Sequence, residues 1–245
     1  DNIYLNANIN GQDSYQIFGN IGGVEYLSFG LKDNRYGTDG TMHSLGELDM
    51  NDMHIEESGD FTLSLGGDKH SKNYLSLPDN ANMLIVRQTY TDRANQDHAN
   101  IHIKITNADS SPQLLTIEEL DKQLKNSLAF VQGTANTFLK WVKGFQKNHK
   151  NALPLGDQSF FQAAGGDPKI FYLHGYYDFN SDEYMEIKTQ IPKCGYWNFQ
   201  LENYWMESLD YRHYPIHINR SSAQLDLDNR LTICVSHLPV DAPNN

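Results

Sequence analysis

Along the first hundred residues, apolar and polar side chains alternate in short runs. YQIFGN, VEYLSFGL, DMHIEE, FTLSLGG, NMLIVRQTY and NIHIKIT are rich in β-branched and aromatic residues, and clusters of Gly, Asn, Asp and Ser separate them. Successive side chains on a strand point to opposite faces, so these runs predict half-buried strands. Glu57-Ser58-Gly59-Asp60 reads as a hairpin turn. Short strands with turn residues between them are the pattern of a β-sandwich or jelly roll.

The period changes after Pro112. Thr116 with Glu119 makes a capping box, and Ile117, Leu120, Leu124, Leu128 and Val131 then recur at the three- and four-residue intervals of an amphipathic helix. Gly133 and Thr134 predict a break, after which Phe138, Trp141, Val142 and Phe145 carry a second, core-facing helix to a basic end at Lys147 and Lys150. Residues 151–168 read as a loop closed by a GGDP turn. Strands resume in KIFYLHGYYDF, in YMEIKTQI and in residues 196–202 and 211–219, and SAQLDL and RLTICVSH form a hairpin around Asp228-Asn229. The expected fold class is mainly β: β-sandwich or jelly-roll-like lobes with a helical insertion. An N-terminal β lobe would span residues 1–110, the insertion 111–150 and a C-terminal β lobe 151–245.

The densest mixture of chemistry lies in CGYWNFQLENYWMESLDYRHYPIHINR. Alternation over 196–202 puts Trp197, Phe199 and Leu201 on one face, and Tyr196, Asn198, Gln200 and Glu202 on the other. Over 211–219 it puts Tyr211, His213, His217 and Asn219 opposite Tyr214, Ile216 and Ile218, with Pro215 marking an edge or a bulge. As neighbours, the two strands would present one polar face, with Gln200 and His213 in a shared concavity. Rings that stack on C–H faces, beside amides, a carboxylate and a guanidinium that satisfy hydroxyls, suit a carbohydrate or another small polar ligand. The contact residues would be Asn198, Gln200, Glu202, Tyr204, Arg212, His217 and Asn219. Were the site catalytic, Tyr211 or His213 would be the general base. A regular strand turns Arg212 away from Tyr211, towards Asp210 or Glu207. The residues do not decide between binding, catalysis and a structural or interaction module whose polar sheet face meets water or another protein.

Composition narrows the field. The 245 residues carry a net charge of −12 with no basic cluster, which makes nucleic acid and anionic membrane poor partners. No apolar run approaches the ~20 residues of a membrane span. Cys194 and Cys234, the only cysteines, exclude a disulfide-dense scaffold and a cysteine-built zinc site, and their pairing stays open. His98 with His102, and His213 with His217, would stand roughly 13 Å apart along strands, too far for one zinc ion. Asp226, Asp228 and Asn229 read as a turn ahead of a calcium site, and Arg87 with Asp92 reads as a structural ion pair. There is no G-x-S-x-G elbow and no phosphate loop, and FGNIGG lacks the spacing of a dinucleotide site. No cofactor and no metal are expected. Asn219-Arg220-Ser221 reads as a chance sequon. The chain opens on strand-like YLNANI, as it would after removal of a leader. Compartment and oligomeric state stay open.

With these residues placed, the chain resembles an uncharacterised bacterial family, the one catalogued as domain of unknown function 1214. The resemblance rests on CGYWNFQLENYWMESLDYRHYPIHINRSSAQLDLDNRLTICVSHLPVDAPNN, YQIFGNIGGVEYLSF and NYLSLPDNANMLIVRQTYTDR. Its marks are the aromatic strand, the dipeptide Tyr211-Arg212, Asn219 and the acidic hairpin. LPVDAPNN resembles the place where the family has Asp-Pro-Gly and then Pro-Asn-Trp; Pro243-Asn244 is kept, and the tryptophan is Asn245 or is absent, as it would be in a chain truncated at its C-terminus. The resemblance implies a mostly β, sandwich-type fold and brings no activity with it.

Overall fold

The structure, a computed structural model, describes residues 2–107 and 114–245. The expected start of the insertion at 111, and Pro112, lie outside the described residues. Strands predominate, so the protein is mainly β, and the chain divides into two units. The first comprises Asp1–Thr134 and Asp157–Phe171, the second Ala135–Gly156 and Tyr172–Asn245.

In the first unit, β1 (Asn2–Asn8), β7 (Met83–Thr89), β3 (Tyr26–Asn34) and β4 (Met42–Asp49) form an antiparallel sheet in that order. A second sheet runs β6 (Tyr74–Leu75), β5 (Asp60–Leu65), β2 (Tyr15–Asn20) and β8 (Asn100–Ile105), with β5 and β6 parallel. One core draws on both: Leu27, Phe29 and Leu31 of β3, Leu84 and Val86 of β7, Ile17 of β2, and Phe61, Leu63 and Leu65 of β5. Two expectations fail here. DMHIEE is not a strand: the Asp49 carboxylate accepts the Asn51 N–H and caps a 3-10 turn, Met50–Asp52, so no hairpin partner precedes β5. Strand β4, by contrast, was not expected, because MHSLGELD holds one glycine and few β-branched residues.

The alternate side chains of β3 are also buried, although they are polar. Ser28 and Lys32 lie beneath a strap that includes Gly165 and Asp167, and Lys32, 2% exposed, pairs with Glu47. Gly30 leaves the space that the Glu47 carboxylate fills. Ser28 Oγ donates to Asp167, and Lys169 ties the strap to Asp49 and Asp52 at 2.6 and 2.8 Å. Arg87, also buried, stacks over the Tyr4 ring, while Asp92 is exposed and accepts from Asn95.

Residues 117–148 form a single helix, α1 (Ile117–Asn148), not two. The expected capping box is present: Glu119 accepts from Thr116 N and Oγ, and Thr116 Oγ accepts the Glu119 N–H. Gly133 does not break the helix, because a glycine in mid-helix costs only about 1 kcal/mol and here lets the backbone touch another segment. A Cβ at Gly133 would overlap the Tyr36 carbonyl oxygen, and the Tyr36 ring stacks on Phe130 at 6.1 Å. The 151–168 loop contains a short helix, α2 (Gln158–Gln162), capped by Asp157.

In the second unit, β9 (Tyr184–Gln190) pairs antiparallel with β12 (Arg230–Ser236), and β10 (Asn198–Gln200) with β11 (His217–Asn219). Leu231, Ile233 and Val235 of β12 form the core against Met185, Ile187, Trp197, Phe199, Leu201 and Ile218. KIFYLHGYYDF makes no strand. Its backbone is held to the end of α1 instead, with Tyr176 N donating to His149 O and Asn151 N to Tyr176 O, and Gly175 allows the close approach to Ala152. SAQLDL gives only a Leu225–Leu231 bridge, and left-handed Asn229 makes the turn. Phe145 stacks between His149 and His174, at 5.6 and 5.4 Å, and burial lowers the His174 pKa to about 4, so that the ring packs uncharged. Both cysteines are free thiols. Among the described residues no helix is long and apolar enough to cross a membrane.

Substitutions at the tight glycine and at the buried ion pair probe this packing. In urea denaturation, Gly133→Ala should lower stability by about 1–3 kcal/mol through overpacking, whereas Gly144→Ala, with open space where its methyl group would sit, should raise it by about 0.5–1 kcal/mol. Lys32→Met should cost about 3–5 kcal/mol by stranding the Glu47 carboxylate, and adding Glu47→Leu should recover most of the loss.

Candidate functional site

The site is built on the β10–β11 ribbon. Register places Asn198 opposite Asn219, Phe199 opposite Ile218 and Gln200 opposite His217. Directly opposed residues share a face, so Phe199 and Ile218 turn to the core and the amides and imidazole turn the other way. Leu201 N donates to Ile216 O at 2.8 Å and Leu209 N to Leu201 O at 3.4 Å, which extends the backbone pairing past Gln200. Glu202, two residues on from Gln200 and on its side, is bridged through the backbone to Ser208. Gln200 Nε2 lies 3.4 Å from Glu202 Oε1. Burial raises the Glu202 carboxyl to about pKa 7, and the Gln200 amide offsets only part of that shift.

Asn219 plays a different part from the one expected. It is 2% exposed, and its Oδ1 accepts the N–H groups of Ser221 and Ser222. An asparagine so enclosed fixes the turn after β11 and reaches neither a ligand nor a glycan. Tyr196, not among the expected contact residues, bonds Asn198 and Asn219, and burial raises its pKa. Alternation over 196–202 already placed it on this face.

Residues 211–214 are a turn, not the start of a strand, which separates Tyr211, Arg212 and His213 from the ribbon. The cause is local. Asp210 Oδ1 accepts the Arg212 N–H, the Asp210 carbonyl accepts from His213 and Tyr214, and Pro215 has no N–H for a ladder. Gln200 therefore faces His217, and the expected concavity with His213 is not formed by strand pairing. Arg212 holds Asp210 through Nε at 2.9 Å and a second guanidinium nitrogen at 3.0 Å, as its spacing suggested.

Tyr204 lies on a tight loop whose pin is Asn203. The Asn203 side chain accepts from Trp205 N and Glu207 N, its Nδ2 donates to Glu207, and Met206 adopts a left-handed φ of 59°. The loop presents Tyr204 and Trp205 at a 6.3 Å edge contact, with Tyr204 against Tyr176 at 6.4 Å and the Trp205 ring exposed. Trp205 was missed because no period marks a loop residue; an Asn followed by two aromatics and a turn was the available signal. Asp226, one of the calcium candidates, accepts backbone N–H groups from Asp228 and Arg230. Among the described residues no three His, Cys, Asp or Glu side chains are grouped to hold a metal ion.

The chain is similar along its whole length to a solved structure, an uncharacterised protein from Burkholderia cenocepacia, with 36% identity and a TM-score of 0.95 over 68% of that chain. A protein from Vibrio parahaemolyticus matches 96% of this chain and 77% of its own, at 10% identity and a TM-score of 0.49. No family model and no curated protein matches. With more than a third of its residues shared over its full length, the chain belongs to the family of the Burkholderia cenocepacia protein.

Proposed function

We propose that the second unit recognises a carbohydrate or a similarly hydroxyl-rich small ligand on the polar face of the β10–β11 ribbon. The observation that carries this reading is the opposed pair Gln200 and His217 beside Glu202, a carboxyl that keeps its proton to about pH 7. An amide, an imidazole and a neutral carboxyl each both donate and accept, which suits hydroxyls of either polarity. The rings of Tyr204 and Trp205, held by Asn203, supply flat surfaces for C–H stacking. Binding is favoured over catalysis because Tyr211 and His213, the candidate bases, lie in a turn rather than on the ribbon. Membership in the family catalogued as domain of unknown function 1214 belongs to the same proposal, supported by the aromatic strand and the Tyr211-Arg212 turn.

A sandwich arrangement is likewise proposed for the first unit, supported by one core shared between two four-stranded sheets and by Phe29 and Phe61 meeting at 5.6 Å. The competing reading, an interaction module, is favoured by the exposed aliphatic stripe of α1.

Calorimetric titration against neutral and acidic oligosaccharides tests the binding proposal. Gln200→Ala and Trp205→Ala should each weaken binding about tenfold, ~1.4 kcal/mol, with unchanged melting temperature; saturable binding that survives both substitutions excludes the ribbon. The pH dependence is signed. Between about 4.5 and about 7 the folded state holds a proton on Glu202 that the unfolded chain has lost, so stability should fall by up to ~3 kcal/mol as pH rises across that window. His174, with its pKa lowered to about 4, acts in the opposite sense from there to 6.5. Glu202→Gln should remove the falling component and leave stability rising with pH, which chemical denaturation at several pH values measures.

A further inference from the structure

The first half of α1 carries an aliphatic stripe that the described residues leave exposed. Ile117, Leu120, Leu124, Leu128 and Val131 are exposed, from 48% at Leu120 to 82% at Ile117. At 3.6 residues per turn they fall within about a quarter of the helix circumference. The face that does pack lies about half a turn away: Ala129, Phe130 and Gly133 meet Tyr36 and Gly37. The close backbone contact at Gly133 thus fixes the helix with its aliphatic side outward.

We infer that this stripe is a self-association surface, which joins two copies of the chain through an antiparallel pair of α1 helices centred on Leu124. The spacing is palindromic. In an antiparallel pair about Leu124, Ile117 meets Val131 of the second copy, Leu120 meets Leu128, and Leu124 meets its own counterpart. Every layer is then aliphatic on aliphatic, which a two-fold, isologous contact requires. No charge lies within the stripe, and the neighbouring Asp121 and Lys125 already neutralise one another within each copy at 2.6 Å. The five stripe residues amount to on the order of 600 Å² of apolar surface. That reaches the upper end of the largest patch on a typical monomer and approaches the ~800 Å² that one partner gives to a stable interface. This surface is in the first unit and is independent of the ligand proposed for the second.

Sedimentation equilibrium over a range of concentrations, with the full chain, tests the inference. The protein should sediment as a dimer, and Leu124→Asp should shift the dissociation constant at least a hundredfold towards monomer with unchanged helical circular dichroism. In a Cys194→Ser background, Leu124→Cys should cross-link to a second copy under mild oxidation, and Glu118→Cys, off the stripe, should not. A wild-type protein that stays monomeric, a dimer indifferent to Leu124→Asp, or an absent Leu124→Cys cross-link would each overturn the proposal. So would a monomer that co-floats with phosphatidylglycerol vesicles through this helix, which would make the stripe a membrane-surface face.

Discussion

Burial of Trp197, Phe199, Leu201 and Ile218 against Leu231, Ile233 and Val235 is the constraint on which the second unit's chemistry depends. A strand has two faces, and once the apolar one is committed the register of the ribbon admits no slip, since a one-residue shift would exchange every side chain between core and solvent. Asn198, Gln200 and Glu202 therefore have a fixed side to occupy, and His217 is fixed opposite Gln200 by pairing alone. Glu202 is itself largely enclosed, and that burial raises its pKa.

That logic also explains what the sequence revealed. The Tyr196–Glu202 alternation, the capping box at Thr116, and the strands at YQIFGN, FTLSLGG, NMLIVRQTY and RLTICVSH were legible, since each is set by a periodicity or by a contact within a few residues. The failures share a different cause. KIFYLHGYYDF has the composition of a strand, yet the Tyr176 and Asp178 backbones are claimed by His149 and Asn151, a partnership no local pattern announces. Tyr211 and His213 read as strand positions if Pro215 marks an edge or a bulge; the Asp210 carboxylate, bonded to the Arg212 backbone and guanidinium, makes the turn the better solution. Trp205 shows no period, because a loop displays a side chain by its hydrogen bonds; only Asn203 ahead of two aromatics signals it.

The first unit shows the opposite case, a strand buried on both faces with only one of them apolar. Leu27, Phe29 and Leu31 enter the core, while Ser28 and Lys32 lie under the strap. A lysine is almost never this enclosed unless paired, and Glu47 meets that need where Gly30 leaves room for its carboxylate. Such a pair adds little to stability compared with a well-packed apolar substitute, but it tolerates only one arrangement of strap and sheet. Gly30 therefore serves placement: it sets where the Lys32 and Glu47 charges meet.

Helix α1 joins these two lessons. Its apolar side chains recur without a break from Ile117 to Phe145, yet the later ones are buried and the earlier ones are not. Periodicity alone cannot tell the two halves apart, because it reports which side of a helix is apolar and never whether something lies against it. What distinguishes them is the glycine. At Gly133 the backbone meets the Tyr36 carbonyl, beside the Phe130 ring stacked on Tyr36, and the aliphatic side points away from that contact. A leucine or valine at position 133 would keep the helical pattern and lose the anchor. The outward stripe is thus a consequence of close approach on the far side of the helix.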